Sequence, residues 1–91
     1  MRLASKVIAI TGGSYGLGKA LANACYSEGA RIAIIGRNSS KLELARNEIG
    51  ERVASFPCDI GDPAAVRHTF EEIHSQMGEL HALVNNAAIY P

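Results

Sequence analysis

Short apolar runs alternate with helical patterns along this chain, and this alternation indicates its fold class. Three runs are wholly apolar, Val7–Ile10, Ile32–Ile35 and Ala82–Val84, and Arg52–Phe56 forms a weaker one. Strands without polar alternation are expected where helices cover both faces of a parallel sheet. The sequence therefore predicts an α/β fold with the order β-α-β-α-β-α-β. Right-handed crossovers make this the N-terminal half of a Rossmann-type parallel sheet, with strand order 3-2-1-4.

The first predicted helix follows the first strand. Its apolar face is expected to consist of Leu17, Leu21, Ala24 and Cys25. These positions recur with the period of an α-helix, and Gly29 follows them where a left-handed cap is favoured. The pattern predicts that this face packs on the sheet.

The second predicted helix has a start signal and a stop signal. It begins at Ser39 or Ser40, because Ser40 and Glu43 have the Ser-x-x-Glu spacing of a capping box. Gly50 ends it. The helix is short, and so are the joints on either side.

The third predicted helix is the clearest of the three. Asp62 is expected as its N-cap, Pro63 as its first helical residue, and Gly78 as the residue that follows it. Its apolar face is expected to be Val66, Phe70, Ile73 and Met77. No linker or repeat interrupts the pattern, so one domain over residues 1–91 is expected.

Composition limits the class of protein. The chain has 91 residues, no formal net charge and 47% hydrophobic residues, as a soluble globular protein does. Balanced charge gives no electrostatic reason to bind nucleic acid or an anionic membrane. The apolar runs are far shorter than the ~20 residues that cross a bilayer. No secretory signal is visible, so a cytoplasmic location is expected.

Cysteine and histidine do not form a metal-binding pattern. Cys25 and Cys58 are far apart, with no Cys-x-x-Cys pair, and both are expected to be small buried apolar residues. The spacing of His68, His74 and His81 places the first two on different faces of a helix. We expect no metal site.

A glycine-rich turn joins the first strand to the first helix. It reads Thr-Gly-Gly-Ser-Tyr-Gly-Leu-Gly over residues 11–18. Glycine permits positive φ and a close approach of the backbone to a ligand, and the amides of a helix N-terminus suit a pyrophosphate. The spacing G-x-x-x-G-x-G differs from the G-x-G-x-x-G of many dinucleotide binders. The Gly-Lys-Ser/Thr ending of a mononucleotide P-loop is missing, which disfavours ATP or GTP hydrolysis.

Three motifs together resemble the short-chain dehydrogenase/reductase family. They are Thr11-Gly12-x-x-x-Gly16-x-Gly18, Asp59 after the third strand, and Asn85-Asn86-Ala87 after the fourth. The likeness covers the whole chain but only the N-terminal portion of a typical member. It implies binding of a nicotinamide dinucleotide, and a full-length form that transfers hydride between NADP(H) and an alcohol or ketone.

The resemblance also implies which residues contact the cofactor. Those lining the pyrophosphate and ribose would be Gly12, Ser14, Tyr15, Gly16, Leu17 and Gly18. Asp59 and Ile60 would hold the adenine. Asn86 and Ala87 would flank the ribose on the nicotinamide side, with Asn85 bracing the sheet. Ala88 replaces the family's usual glycine, and its methyl group can crowd the cofactor or shift the backbone.

Each motif also has a simpler structural reading. A glycine cluster alone is often only a tight strand-to-helix turn. Asp59 can cap a turn before Gly61, and Asn85 and Asn86 can be ordinary loop amides that bond the backbone. All of them follow the C-termini of strands, where open α/β sheets bind ligands, and this joint placement favours a cofactor site.

The end of the second strand bears on which nicotinamide cofactor is bound. NAD binders carry an acidic residue there that accepts hydrogen bonds from ribose hydroxyls. Here the sequence is Gly36-Arg37-Asn38, and the arginine offers a forked donor suited to a phosphate. We expect NADP rather than NAD, with Arg37 and Asn38 as contacts. The alternative is a solvated Arg37, because Tyr15 stands where many NADP-using relatives carry a second basic residue.

The residues that catalyse hydride transfer in the family are not expected in this chain. The resemblance places its tyrosine, lysine and serine beyond residue 91. Tyr15 and Lys19 match the Tyr-x-x-x-Lys string, but they lie in the pyrophosphate turn, away from the nicotinamide, so we interpret the match as coincidence. A general acid must reach the carbonyl that it protonates, so the chain is expected to bind without turnover.

Two functions remain open from the sequence. One is the cofactor-binding part of a short-chain oxidoreductase, and the other is a stand-alone nucleotide-binding or dimerisation module without redox activity. An unpaired apolar edge at the fourth strand and an uncovered sheet face predict self-association in either case. The substrate is not indicated, since specificity lies in later loops of the family.

Overall fold

Four parallel strands form one sheet in the computed structural model, which describes residues 2–14 and 16–86. The elements are β1 (Val7–Thr11), α1 (Gly16–Ser27), β2 (Arg31–Gly36), α2 (Ser39–Ile49), β3 (Val53–Pro57), α3 (Pro63–Met77) and β4 (Ala82–Asn85). The strand order is β3-β2-β1-β4. Both the order of elements and the order of strands confirm the predicted topology. All four carboxyl ends meet at one edge of the sheet, called the carboxyl edge below, and the opposite edge is the amino edge.

The central strands β1 and β2 are buried on both faces. On one face, Ile10 and Ile32 pack with Leu42 of α2 and Ala22 of α1. A second cluster on the strands joins Ala9, Ala33 and Ile35 to Ile73 and Met77 of α3. Helices therefore cover both faces of these strands, as the absence of polar alternation predicts. The outer strand β4 differs, since Ala82 is exposed and Leu83 is 50% exposed.

The predicted apolar face of α1 is partly wrong. Leu21 and Cys25 are half-buried, but Ala24 is exposed and Leu17 is 67% exposed. The fully buried positions are Gly18 and Ala22. The smallest side chains face the sheet because the helix approaches the end of β1 so closely that a Cβ at Gly18 would lie 2.1 Å from Gly12 O. Leu17 is thereby turned towards solvent. Cys25 is also less buried than expected, whereas Cys58 is buried as predicted.

The start of α2 confirms one prediction and corrects another. The helix begins at Ser39, but its N-cap is Asn38, whose Oδ1 accepts from Lys41 N at 3.0 Å. The capping box of Ser40 and Glu43 is wrong, because Glu43 Oε2 instead accepts from Ser55 Oγ on β3 at 2.8 Å. An asparagine that precedes two serines is an equally good cap, and the chain uses it.

The third helix matches its prediction most closely. Asp62 Oδ1 accepts from Ala64 N at 3.0 Å and from Ala65 N at 3.4 Å, and Pro63 is the first helical residue. Ile73 and Met77 are buried, and the other two predicted apolar residues are half-buried. Thr69 is buried too, which the apolar pattern does not indicate. Within residues 2–14 and 16–86, no helix is long and apolar enough to cross a membrane.

Candidate nucleotide-binding site

The glycine turn lies at the carboxyl edge, between the end of β1 and the start of α1. Gly12 has φ of +69° and Gly16 has φ of +56°, a region that side-chain-bearing residues rarely adopt. Gly12 N donates to Ile35 O of β2 at 2.8 Å, so the turn is tied to the neighbouring strand. The path of the chain here depends on glycine at both positions.

Two further glycines bring the start of α1 against the strand ends. A Cβ at Gly13 would lie 2.6 Å from Ile34 Cγ2, and one at Gly18 would lie 2.1 Å from Gly12 O. Either contact is shorter than real Cβ atoms allow, so residues with side chains do not fit without a shift. Because helix N-terminal amides lack intrahelical acceptors, this packing places polar N–H groups at the carboxyl edge.

Thr11 joins the glycine turn to the end of β4. Its buried hydroxyl donates to Asn85 Oδ1 at 3.0 Å and accepts from Asn86 N at 2.8 Å. Asn85 therefore braces the sheet, as the family resemblance implies. Asn86 lies beside the turn, since a Cβ at Gly18 would approach Asn86 Nδ2 to 2.7 Å. The sequence interpretation gave Thr11 no role, although it is the one polar residue of an otherwise apolar buried strand.

The end of β2 presents hydrogen-bond donors. Arg37 is exposed, and no hydrogen bond or ion pair joins it to another residue of the described ranges. Asn38 is exposed as well, and its Oδ1 is occupied by the cap of α2. The amide NH₂ of Asn38 is therefore the part of its side chain that remains for a ligand. Arg37 and Asn38 together offer donors and no anionic acceptor.

The end of β3 forms a tight turn. Asp59 Oδ1 accepts from Gly61 N at 2.9 Å, and Asp59 O accepts from Asp62 N at 3.0 Å. The simpler reading of Asp59 as a turn residue is thus correct, and its second carboxylate oxygen is not needed for that turn. Cys58 N donates to Gly36 O at 2.7 Å, which holds this turn next to the end of β2.

The structure brings the predicted contact residues to one edge. The glycine turn follows β1, Arg37 and Asn38 follow β2, Asp59 and Ile60 follow β3, and Asn86 follows β4. Tyr15 and Ala87, two further predicted contacts, lie outside the described residues, as does Ala88. Within the described ranges, no cluster of three or more histidine, cysteine, aspartate or glutamate residues could hold a metal ion.

Lys19 of the Tyr-x-x-x-Lys string is engaged elsewhere. Its Nζ forms an ion pair with Glu48 Oε1 of α2. The contact joins two helices on one face of the sheet.

Comparison with known proteins identifies the family. Residues 6–91 match the model of the short chain dehydrogenases. The chain belongs to this family. It is 38% identical to the 3-oxoacyl-[acyl-carrier-protein] reductase of Homo sapiens over 84 residues, which are 92% of this chain and 35% of that protein. It is 37% identical to the sorbitol dehydrogenase of Cereibacter sphaeroides, over 99% of this chain and 35% of that protein.

Solved structures agree with the family assignment. A short chain dehydrogenase from Bacillus anthracis superposes with a TM-score of 0.89 at 38% identity, over 92% of this chain and 35% of the other. A 3-ketoacyl-(acyl-carrier-protein) reductase from Brucella melitensis, complexed with NADH, superposes with a TM-score of 0.84 at 30% identity, over 88% and 33%. The chain thus spans about a third of the length of these relatives. Members of the family are oxidoreductases that bind NAD(P)(H), so the resemblance seen in the motifs is confirmed.

Proposed function

We propose that this chain forms the part of a short-chain oxidoreductase that binds the adenosine and pyrophosphate of a nicotinamide dinucleotide, with NADP preferred over NAD. The full-length form would transfer hydride between NADP(H) and an alcohol or ketone. The observation that carries this proposal is the close packing of Gly18 on Gly12 O, which sets the start of α1 against the carboxyl end of β1.

The pyrophosphate would lie on the glycine turn. The amides of residues 13, 14 and 16–18 and the positive end of the α1 dipole offer a polarised surface to a diphosphate, and the glycines leave room for close approach. Gly12, Ser14, Gly16, Leu17 and Gly18 are the proposed contacts, with Tyr15 completing the set. The 67% exposure of Leu17 leaves it available to cover the ribose.

Preference for NADP would come from the donors at the end of β2. The guanidinium of Arg37 suits the phosphate on the adenosine ribose. Because Asn38 Oδ1 already accepts from Lys41 N, the NH₂ group of Asn38 is the part of its side chain that would donate to the phosphate as well. An NAD-specific site needs a carboxylate that accepts from the ribose hydroxyls, and residues 36–38 contain none. The N-terminus of α2, directly after Asn38, adds favourable potential for an anion.

The other strand ends would hold the remaining parts of the dinucleotide. Asp59 and Ile60 would contact the adenine through the second carboxylate oxygen and a half-buried apolar side chain. Asn86 and Ala87 would flank the ribose on the nicotinamide side. The Thr11 hydroxyl fixes Asn86 N at 2.8 Å, so Asn86 is held in place before a ligand arrives.

We further propose that this chain binds the dinucleotide without catalysing hydride transfer. Lys19 is paired with Glu48, and Tyr26 lies at the amino edge, where its ring stacks under Arg52. Both side chains are thus engaged in contacts within the fold, and this supports the proposed absence of catalysis. A cytoplasmic location stays a prediction from the sequence.

Calorimetric titration of the chain with NADP and with NAD tests the proposed function. Arg37→Ala should raise the Kd for NADP by about tenfold or more, as expected for loss of a charge-assisted bond, and should leave the Kd for NAD unchanged. Arg46→Ala, which removes an arginine of α2 that pairs with Glu43, is the matched control. Tighter binding of NAD than of NADP, or an unchanged NADP affinity in Arg37→Ala, would refute the preference. Oxidation of NADPH by the chain with a ketone present would refute the absence of catalysis.

The second function, a dimerisation module, has one observation in its favour. Strand β4 is an outer strand of the sheet, and it exposes Ala82 and half of Leu83. We propose that the outer strand β4 mediates self-association of the chain through its unpaired side. Leu83→Ser should lower the association constant measured by analytical ultracentrifugation. Leu44→Ser is the control and should not lower it, because Leu44 is also exposed but lies on α2. A chain that stays monomeric at high concentration would exclude this role.

A further inference from the structure

The glycine turn lies against β2 as well as against α1. Gly13 is buried, and a Cβ at this position would lie 2.6 Å from Ile34 Cγ2, 3.0 Å from Ile34 Cβ and 3.3 Å from Ile10 O. Directly before it, Gly12 N donates to Ile35 O at 2.8 Å. The first residues of the turn are therefore held on β2 by one hydrogen bond and by packing so close that no side chain fits between.

The side chain of Ile34 has little freedom to move away from the turn. It is fully buried in the core cluster that contains Ala22 of α1 and Leu42 of α2. Its backbone pairs in register with Ile10 on one side and with Ser55 on the other. Because such interiors are close-packed, displacement of the Cγ2 methyl would disturb several neighbours at once. The methyl is thus a fixed surface under Gly13.

The Cγ2 methyl is present because isoleucine is branched at Cβ. A β-branched side chain is stiff at χ1, so this methyl keeps one position. Leucine has almost the same volume but no methyl on Cβ, whereas valine is smaller and keeps both carbons there. The space beside Gly13 is therefore set by the branching of residue 34 rather than by its size.

Given the proposed dinucleotide site at the glycine turn, we propose that Ile34 is a positioning residue for the diphosphate. Its Cγ2 methyl fixes the distance between the turn and β2, while the packing of Gly18 on Gly12 O fixes the turn against α1. A side chain at residue 13 would push the turn away from β2. The turn would then meet the diphosphate in a different place, although Ile34 itself does not touch the ligand.

A double-mutant cycle on residues 13 and 34 tests this role by calorimetric titration with NADP. Gly13→Ala should raise the Kd about tenfold, because the added methyl overlaps Ile34 Cγ2 and displaces the turn. In the Ile34→Leu background the same substitution should raise the Kd about threefold or less, since the remaining 3.0 Å approach to Cβ is relieved by a small shift. Ile34→Leu alone conserves volume and should keep the chain folded.

Two matched backgrounds control for the cycle. Ile34→Val keeps the methyl that faces Gly13, so Gly13→Ala should still raise the Kd about tenfold. Ile32→Leu makes the same chemical change at another fully buried isoleucine of β2 in the same core cluster, and it should give no relief either. An equal rise in Kd on Gly13→Ala in the wild type and in Ile34→Leu would overturn the inference.

Amide hydrogen exchange of the ligand-free chain separates this role from the proposed function. Gly13→Ala should lower the protection factor of Gly12 N–H about fivefold more than that of Arg31 N–H, which bonds Lys6 O at the other end of β2. Ile34→Leu should restore most of that protection. If this pattern holds and the wild type binds no NADP, the proposed function is refuted while Ile34 still positions the turn. Protection of Gly12 N–H that Ile34→Leu does not restore would overturn the inference even if NADP binds.

Discussion

The amino and carboxyl edges of the sheet differ in how their side chains are used. At the amino edge, long side chains bond the backbone: Arg52 Nη2 donates to Tyr26 O at 2.6 Å and its Nε to Ala30 O at 3.2 Å, and Arg31 Nη1 donates to Met77 O at 2.8 Å. At the carboxyl edge, β1, β2 and β4 end in Thr11, Gly36 and Asn85, and Arg37 is exposed. The same residue type thus bonds the backbone at one edge and is exposed to solvent at the other.

An arginine therefore indicates a binding site only when its donors do not already bond other parts of the protein. The Arg52 guanidinium also stacks 3.8 Å from the centre of the Tyr26 ring. Its N–H groups thus bond the backbone while its planar face contacts an aromatic ring. Arg37 follows a strand whose backbone is already paired by neighbouring strands. We therefore expect substitutions at the amino edge to change stability and those at the carboxyl edge to change nucleotide affinity.

The largest expected effect comes from a matched pair of glycine substitutions. Gly18→Ala places a methyl group 2.1 Å from Gly12 O, so it should lower stability by about 2–3 kcal/mol and lower dinucleotide affinity more than tenfold. Gly50→Ala at the amino edge places one 2.2 Å from the Tyr26 hydroxyl, at φ of +148°. It should lower stability by about 1–2 kcal/mol without changing the Kd of the folded chain. Urea titration measures the stabilities and calorimetry the affinities. An unchanged Kd in Gly18→Ala would show that the packing of Gly18 on Gly12 O is not needed for nucleotide binding.

Arg52→Met should produce the next largest effect. It removes the bonds to Tyr26 O and Ala30 O and the stacking on Tyr26, but keeps much of the apolar length of the side chain. We expect a loss of about 2 kcal/mol in unfolding free energy and no change in nucleotide affinity. Arg67→Met, at an exposed position of α3, serves as the control. Weakened binding of the dinucleotide in Arg52→Met would show that the two edges are coupled.

Thr11→Val should affect both properties to an intermediate extent. The substitution keeps the shape of the side chain and leaves Asn86 N without its acceptor and Asn85 Oδ1 without its donor. Stability should fall by about 1–1.5 kcal/mol, and the Kd for the dinucleotide should rise severalfold because Asn86 is no longer held. Thr69→Val, at the buried threonine of α3, should leave the Kd unchanged. An effect on affinity as large at residue 69 as at residue 11 would argue against the role given to Asn86.

Lys19→Met should have the smallest effect. The ion pair with Glu48 is partly exposed, and such pairs contribute about 0–1 kcal/mol. We expect unfolding free energy to change by less than about 0.5 kcal/mol and nucleotide affinity to stay the same. A large loss of affinity on this substitution would show that Lys19 leaves Glu48 to contact the cofactor.

The topology and most element ends could be predicted because they depend on local signals. Apolar runs mark strands that are buried on both faces, and Asp62 and Pro63 mark the start of α3 by chemistry that acts within one turn. The glycine turn lies at the carboxyl edge because it directly follows β1, a strand of a parallel sheet. Each of these signals is complete within a few neighbouring residues.

The missed features depend on contacts that sequence periodicity does not contain. The buried face of α1 is set by how closely Gly18 approaches Gly12 O, whereas a hydrophobic pattern ranks Leu17 above glycine. The hydrogen bond from Asn86 N to the Thr11 hydroxyl joins residues that are 75 positions apart, and the one from Val7 N to His81 Nδ1 joins residues that are 74 positions apart. The cap of α2 was a choice among three adjacent capping residues, and only the backbone conformation of Asn38 decides it.

Backbone amide NMR of the chain during titration with NADP shows which edge of the sheet the dinucleotide contacts. If the dinucleotide binds on the glycine turn, saturable shifts are expected at Gly13, Gly18 and Asn86, and the amides of Val7 and Arg52 at the amino edge should not move. Saturable shifts that cluster at the amino edge, or a glycine turn that does not respond to millimolar NADP, would contradict binding on the glycine turn.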